Sequence, residues 1–179
     1  MTTLITGSTG FLGSAVLKQL LKEGQKVRAL IRQNSDQRNL DGLDVEIVFG
    51  DLTDRDSLLR ALKDCDSLFH VAADYRLWVP NPSEIYRHNV DGTHNLMIAA
   101  AQCGTQRIVY TSSVATLGIN KDETPADETT AVSLNNMIGH YKRSKFLAER
   151  EVDELIKNEN LPVIIVNPST PVGPRDIKP

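Results

Sequence analysis

Short apolar runs of strand length alternate along this sequence with segments whose apolar residues recur every three or four positions. Leu4-Ile5 marks a first short strand, and Phe11, Leu12, Ala15, Val16, Leu20 and Leu21 then repeat at helical spacing until Gly24 stops the helix. The runs Lys26 to Ile31, Val45 to Phe49, Ser67 to Ala72, Arg107 to Thr111 and Pro162 to Asn167 read as five further strands. Helices are expected over Asp54 to Leu62 with Asp54 or Thr53 as N-cap, over Pro82 to Gln102 closed by Gly104, and over His140 to Asn158. Residues 116–138 read as a long polar loop, and the tail after Asn167, with four prolines, sustains neither strand nor helix. Strands apolar on both faces, alternating with helices, predict a parallel sheet covered on both sides and joined by right-handed crossovers. The expected architecture is a doubly wound α/β sheet.

Composition narrows the class without changing that picture. At 179 residues one domain, 1–179, is expected, and folding such a chain buries roughly 70% of its surface, so no disulfide or metal staple is required. Lys and Arg number 20 against 23 Asp and Glu, a net charge of −3 with no basic run longer than Lys142-Arg143 and Lys145. Nucleic acid is therefore not an expected partner, since phosphate neutralisation needs a basic face. Cys65 and Cys103 fit neither a disulfide framework nor a metal pair and read as reduced packing residues. His70, His88, His94 and His140 have no metal-ligand spacing, so no metal is expected. No run approaches ~18 apolar residues and no basic leader opens the chain, so the expected setting is cytoplasmic, without a membrane span. Asp122, Glu123, Asp127 and Glu128 read as a solvated acidic patch. Trp78 reads as a loop anchor, either packing as a lid or touching substrate.

The strongest chemical signal is Thr6-Gly7-Ser8-Thr9-Gly10-Phe11-Leu12-Gly13, between the first strand and the first helix. Gly7 suits the positive φ of a tight turn, Gly10 lets backbone approach a pyrophosphate, and Gly13 permits close packing of helix on strand. The helix N-terminus offers free N–H groups to the phosphates, which assigns Gly7, Thr9, Gly10, Phe11, Leu12 and Gly13 to a bound dinucleotide. Which dinucleotide depends on the residue ending the second strand, where an acid would hold the ribose of NAD. This chain has Arg32 there and Arg38 six residues on, with no carboxylate at the strand end. Arginine suits a 2′-phosphate, so NADP is favoured, with NAD possible and a solvated surface arginine the plain alternative.

Tyr141 and Lys145 open the penultimate helix, four residues apart and so on one face. A phenol of pKa ~10 is a weak base at neutral pH, and a neighbouring ammonium favours its phenolate. Ser113, beyond the fifth strand, projects from the carboxyl edge of the sheet, where open α/β folds bind ligands, and can polarise a substrate oxygen.

These motifs together resemble the extended branch of the short-chain dehydrogenase/reductase superfamily. Further matches are Asp51-Leu52, His70-Val71-Ala72-Ala73, Asn89-Val90-Asp91-Gly92-Thr93 and Asn167-Pro168, which span nearly the whole chain. More narrowly, Ala72 to Trp78, Tyr110 to Gly118 and Asn167 to Asp176 are similar to hopanoid-associated sugar epimerases and dihydroflavonol reductase-like proteins. The resemblance implies a Rossmann fold and roles residue by residue. Tyr141 is the acid/base, Lys145 holds the nicotinamide ribose, Ser113 orients the substrate oxygen and Asn89 supports the tetrad. Asp51 and Leu52 meet the adenine, Ala72 and Ala73 the ribose-phosphate region, and Pro168 to Thr170 the nicotinamide.

The resemblance also implies hydride transfer at a secondary alcohol or ketone of a small-molecule substrate, sugar-like or dihydroflavonol-like. It implies a homodimer through helices 82–102 and 139–158, and a smaller substrate domain expected beyond residue 179 and absent from this chain. Reduction and epimerisation stay open, as does binding of NADP without turnover. Val114 to Gly118 lacks the tyrosine that many nucleotide-sugar epimerases carry near Leu117.

Overall fold

The computed structural model describes residues 1–120, 122 and 124–176. Six parallel strands form one sheet: β1 (Thr2–Thr6), β2 (Lys26–Ile31), β3 (Glu46–Phe49), β4 (Ser67–His70), β5 (Arg107–Thr111) and β6 (Val163–Val166). Their order, β3-β2-β1-β4-β5-β6, puts the topological switch between β1 and β4, with Thr6 paired to Leu30 on one side and His70 on the other. The fold is the doubly wound, Rossmann-like α/β arrangement, and ligands of such sheets sit in the crevice beyond the switch-point strand ends.

The helices are α1 (Phe11–Lys22), α2 (Arg55–Leu62), α3 (Pro82–Tyr86), α4 (Gly92–Gln102) and α5 (His140–Glu159). Strand alternation sorts the core into two layers. Leu4, Leu30, Leu68, Ile108 and Tyr110 pack against Leu58 and Leu62 of α2, Leu96 and Met97 of α4, and Val152 of α5. Ile5, Ala29 and Ile31 face the other way, onto Leu17 and Leu20 of α1. Coverage of this second face is partial: Val163 and Ile165 pack inward, while Ile164 and Val166 of β6 point away and stay 66% and 38% exposed. Helices thus lie on both faces of the sheet, as the sequence predicts, and Phe69 of β4 also packs onto the α1 side.

Most boundaries follow from local chemistry. Asp54, not Thr53, caps α2, its carboxylate accepting from the amides of Asp56 (3.1 Å) and Ser57 (3.3 Å), while Thr53 bonds to Asp51. β4 stops at His70, two residues before the expected Ala72, because the amides of Val71 and Ala72 turn onto the Thr6 hydroxyl at 3.2 Å each instead of joining the ladder. The expected helix 82–102 is interrupted between α3 and α4 by a π-turn at Arg87–Asp91. The loop 116–138 holds a short 3₁₀ turn, Leu134–Asn136, closed by bonds from the Ser133 amide and hydroxyl to Asn136 Oδ1 and by one from the Asn136 amide back to the Ser133 carbonyl. Of the acidic patch, Asp122 and Asp127 are taken up by Thr124 and Thr129, and Glu123 lies outside the described residues. No helix of the described residues is long and apolar enough to cross a membrane.

Candidate active site

The glycine turn leaves β1 and enters α1 under tight steric control. Gly7 has φ +75° and its carbonyl accepts from Gly10 N–H at 2.9 Å. A Cβ on Gly7 would lie 2.6 Å from the backbone nitrogen of Ala72, and one on Gly13 would lie 2.0 Å from the Gly7 carbonyl oxygen. These contacts are backbone to backbone, so no side-chain rotation relieves them. No side chain caps α1 at Gly10, so its first amides remain available to an anion. From below, Asn39, only 5% exposed, donates to the Thr9 carbonyl at 3.2 Å and props the turn. Nothing local in the sequence marks Asn39, a loop asparagine that reaches back 30 residues.

A cleft of about 1100 Å³ runs along the carboxyl edge of the sheet. It brings together Gly7, Thr9, Gly10, Phe11, Leu12 and Gly13 with Arg32, Asp51, Leu52, Ala72 and Ala73, and continues to Asn89, Ser113, Tyr141, Lys145, Pro168 and Thr170. Arg38 is not among the lining. It sits in a 3₁₀ turn with its guanidinium on Asp36 (Nη2 to Oδ2, 2.6 Å). Partial burial works against ionisation of Asp51, but bonds from the Thr53 amide (2.8 Å) and hydroxyl (2.7 Å) outweigh it and hold the carboxyl below its usual range. Gly92 makes room for Leu52, whose Cβ would be 2.8 Å from any side chain there. Trp78 stands 78% exposed outside the lining, next to Tyr75 and Arg76, which do line it; Arg76 is clamped to Asp74.

Asn89 is 3% exposed in the π-turn and spends its whole amide on structure. Its oxygen accepts from Asp74 N–H (2.7 Å), and its nitrogen donates to Asp74 O (2.8 Å) and Ser144 Oγ (2.9 Å). It thereby ties the loop after β4 to α5. Ser113 caps the turn Val114–Thr116, accepting from Ala115 N–H at 3.1 Å, which leaves its own O–H to donate. Tyr141 is half-buried in the first turn of α5. Lys145, one turn on, is 2% exposed and donates to Tyr110 Oη (3.0 Å) and the Thr111 carbonyl (2.9 Å). Two of its three N–H groups are thus used by β5, leaving one for the cleft. Burial pushes the Lys145 ammonium down to about 8, opposed by the charge of Glu149.

Behind the cleft runs a buried polar chain whose members lie far apart in the sequence. The Thr6 hydroxyl accepts two amides, so its proton goes to His70 Nδ1 (2.8 Å), and His70 Nε2–H then donates to Thr93 Oγ1 (2.9 Å). The His70 ring also stacks on Tyr110, centroids 5.6 Å apart. Burial first, and the charge of Lys145 second, depress the histidine from 6.5 to about 3. The unfolded chain therefore binds more protons between those values. The contribution of His70 to stability is full above pH ~6.5 and is lost as pH falls toward ~3. Urea midpoints of the parent chain should fall more steeply through this window than those of His70→Asn; parallel curves would contradict the assignment of a neutral imidazole.

The profile of the NAD dependent epimerase/dehydratase family matches residues 3–179. The chain belongs to that family. Among family relatives, it is 45% identical over 175 residues to the putative dihydroflavonol 4-reductase of Synechocystis, covering 98% of this chain and 50% of that protein. It superposes on the crystal structure of gox2253 with TM-score 0.96 at 57% identity, covering 99% of this chain and 54% of the other. It superposes on the NAD complex of UDP-glucose 4-epimerase from Thermus thermophilus with TM-score 0.82 at 26% identity, covering 93% and 54%. The chain spans about half the length of the curated relatives it matches.

Proposed function

We propose that this family member is the dinucleotide-binding unit of an oxidoreductase or epimerase that takes NADP in preference to NAD and works at a secondary alcohol or ketone. The observation that carries the reading is the single cleft in which an uncapped helix end behind a sterically glycine-only turn lies in line with Arg32 at one end and with Ser113, Tyr141 and Lys145 at the other. The dinucleotide fits the residues present, since Gly7, Gly10 and Gly13 clear the backbone path and the first amides of α1 face a phosphate. When bound, the nicotinamide supplies or accepts the hydride.

The chain's own residues do the rest. Tyr141 holds the proton that passes to or from the substrate oxygen, and Ser113 O–H donates to that same oxygen. Lys145, fixed by Tyr110 and Thr111, keeps a positive charge one helical turn from the phenol. Asp51 and Leu52 receive the adenine, Ala72 and Ala73 the ribose-phosphate region, and Pro168 to Thr170 the nicotinamide side. Asn89 acts as a positioning residue through Asp74 and Ser144. A sugar-like or dihydroflavonol-like substrate, self-association through segments 82–102 and 139–158, and a cytoplasmic setting complete the reading.

Cofactor choice tests this reading at Arg32. Arg32→Asp should lower the ratio of NADPH to NADH affinity about tenfold to a hundredfold, the worth of a charge-assisted hydrogen bond at ~1.5–3 kcal/mol. Fluorescence titration with each cofactor reads it, and an unchanged ratio would refute the role of Arg32.

A further inference from the structure

Among the described residues, Lys145 and Glu149 are the only Lys, Arg, Asp or Glu side chains that are buried, at 2% and 6% exposure. Four residues apart, they share one face of α5. Through one oxygen the Glu149 carboxylate accepts from Asn167 Nδ2 (3.0 Å) and shares the single proton of Thr116 Oγ (2.9 Å) with the Ser113 carbonyl (2.7 Å); through the other it accepts from Arg150 (3.2 Å). The same Asn167 nitrogen reaches the Ser113 carbonyl at 3.1 Å. Backbone bonds run alongside, from Ser112 N–H to Val166 O (2.7 Å) and from Val114 N–H to Pro168 O (3.2 Å). Three pieces of the cleft therefore converge on one carboxylate: the Ser113 turn, the segment leading to Pro168 and Thr170, and the helix bearing Tyr141 and Lys145.

We infer that Glu149 is a positioning residue for the reaction, locking the Ser113 turn and the Asn167 segment to α5 and serving as the buried counter-charge of Lys145. The inference rests on the oxidoreductase reading above. The groups facing Lys145 are His70 from β4, Tyr110 from β5, and Tyr141 and Glu149 from its own helix. Burial keeps His70 an uncharged imidazole, and burial pushes the Tyr110 phenol up, so it too stays uncharged. Glu149 is the carboxylate among them, and its charge opposes the desolvation that drives Lys145 toward the free amine.

The test is a pH titration of the Lys145 Cε signal by NMR in the 179-residue chain, assigned with Lys145→Arg, together with amide hydrogen exchange at Ser112 and Val114. Glu149→Gln should lower the Lys145 midpoint by about one pH unit, the effect of losing a nearby opposite charge, and should speed exchange at both amides. A merely structural role would speed exchange and leave the midpoint in place, and that result overturns the inference, as does unchanged exchange. Should the Gln variant not fold, Glu149→Asp keeps the charge and shortens its reach: exchange at Ser112 and Val114 should quicken, and unchanged exchange overturns the inference. Neither readout needs turnover. Failure of the chain to bind NADPH would remove the oxidoreductase reading and leave these measurements standing by themselves.

Discussion

Tyr141→Phe should abolish carbonyl reduction, or the reverse oxidation, while leaving NADPH affinity within a factor of about two of the parent, because the hydroxyl is needed only where the proton moves. Positioned general acid–base groups contribute ~10²–10⁴-fold, and a loss in that range is the expected reading of kcat. Phenylalanine keeps the ring of a half-buried residue in the first turn of α5, so the fold is not at issue. The comparison is made in a protein with measurable turnover, by following NADPH absorbance with a ketone substrate and by a separate fluorescence titration. Turnover that survives the substitution would move the proton-transfer role away from Tyr141. Loss of NADPH binding together with turnover would mean the phenol serves the cofactor, not the substrate.

The second large effect is expected at Gly13. A Cβ there meets the Gly7 carbonyl oxygen at 2.0 Å and its carbon at 2.5 Å, so Gly13→Ala must push α1 off the turn. A Cβ at Gly10 meets that same oxygen at only 3.3 Å, which a small shift accommodates. Overpacking of this kind costs ~1–3 kcal/mol, and here the displaced group is the helix end proposed to receive the phosphates. NADPH affinity should therefore fall by about tenfold or more in Gly13→Ala, with a lowered urea midpoint, and by clearly less in Gly10→Ala. Equal losses at the two positions would show that the helix–turn contact is not what limits binding.

The sequence was most informative where chemistry is local. β2 and β5 begin and end where their apolar runs do, and the glycine spacing located the turn after β1 because a positive φ at Gly7 and a close approach at Gly13 leave no other residue type. It was silent where the decisive partner lies far along the chain. β4 ends early because the Thr6 hydroxyl, more than 60 residues upstream, captures two amides. Arg38 carries the right charge six residues beyond Arg32, yet Asp36, two residues away, takes its guanidinium. The family resemblance singles out Asn89 for the tetrad, but its role as a strut shows only once Asp74 and Ser144 are beside it. Glu149 looks like one more charge on the long α5 helix, and only the convergence of Thr116 and Asn167 shows it to be interior.

Lys145 joins the local and the distant. Its spacing from Tyr141 is legible in the sequence, and both residues line the cleft. What spacing does not give is that two of its donors are committed to Tyr110 and Thr111, which fix its direction before any ligand arrives. Preorganisation of this kind removes an ordering step from binding.

The most direct test is a crystal structure of the chain with NADP⁺. Expected is a dinucleotide laid along the cleft, its 2′-phosphate at Arg32, its pyrophosphate over the N-terminus of α1 and its nicotinamide beside Ser113, Tyr141 and Lys145. A nicotinamide seated at the Arg32 end, or a dinucleotide bound away from Tyr141 and Lys145, would contradict the reading of these residues as one site.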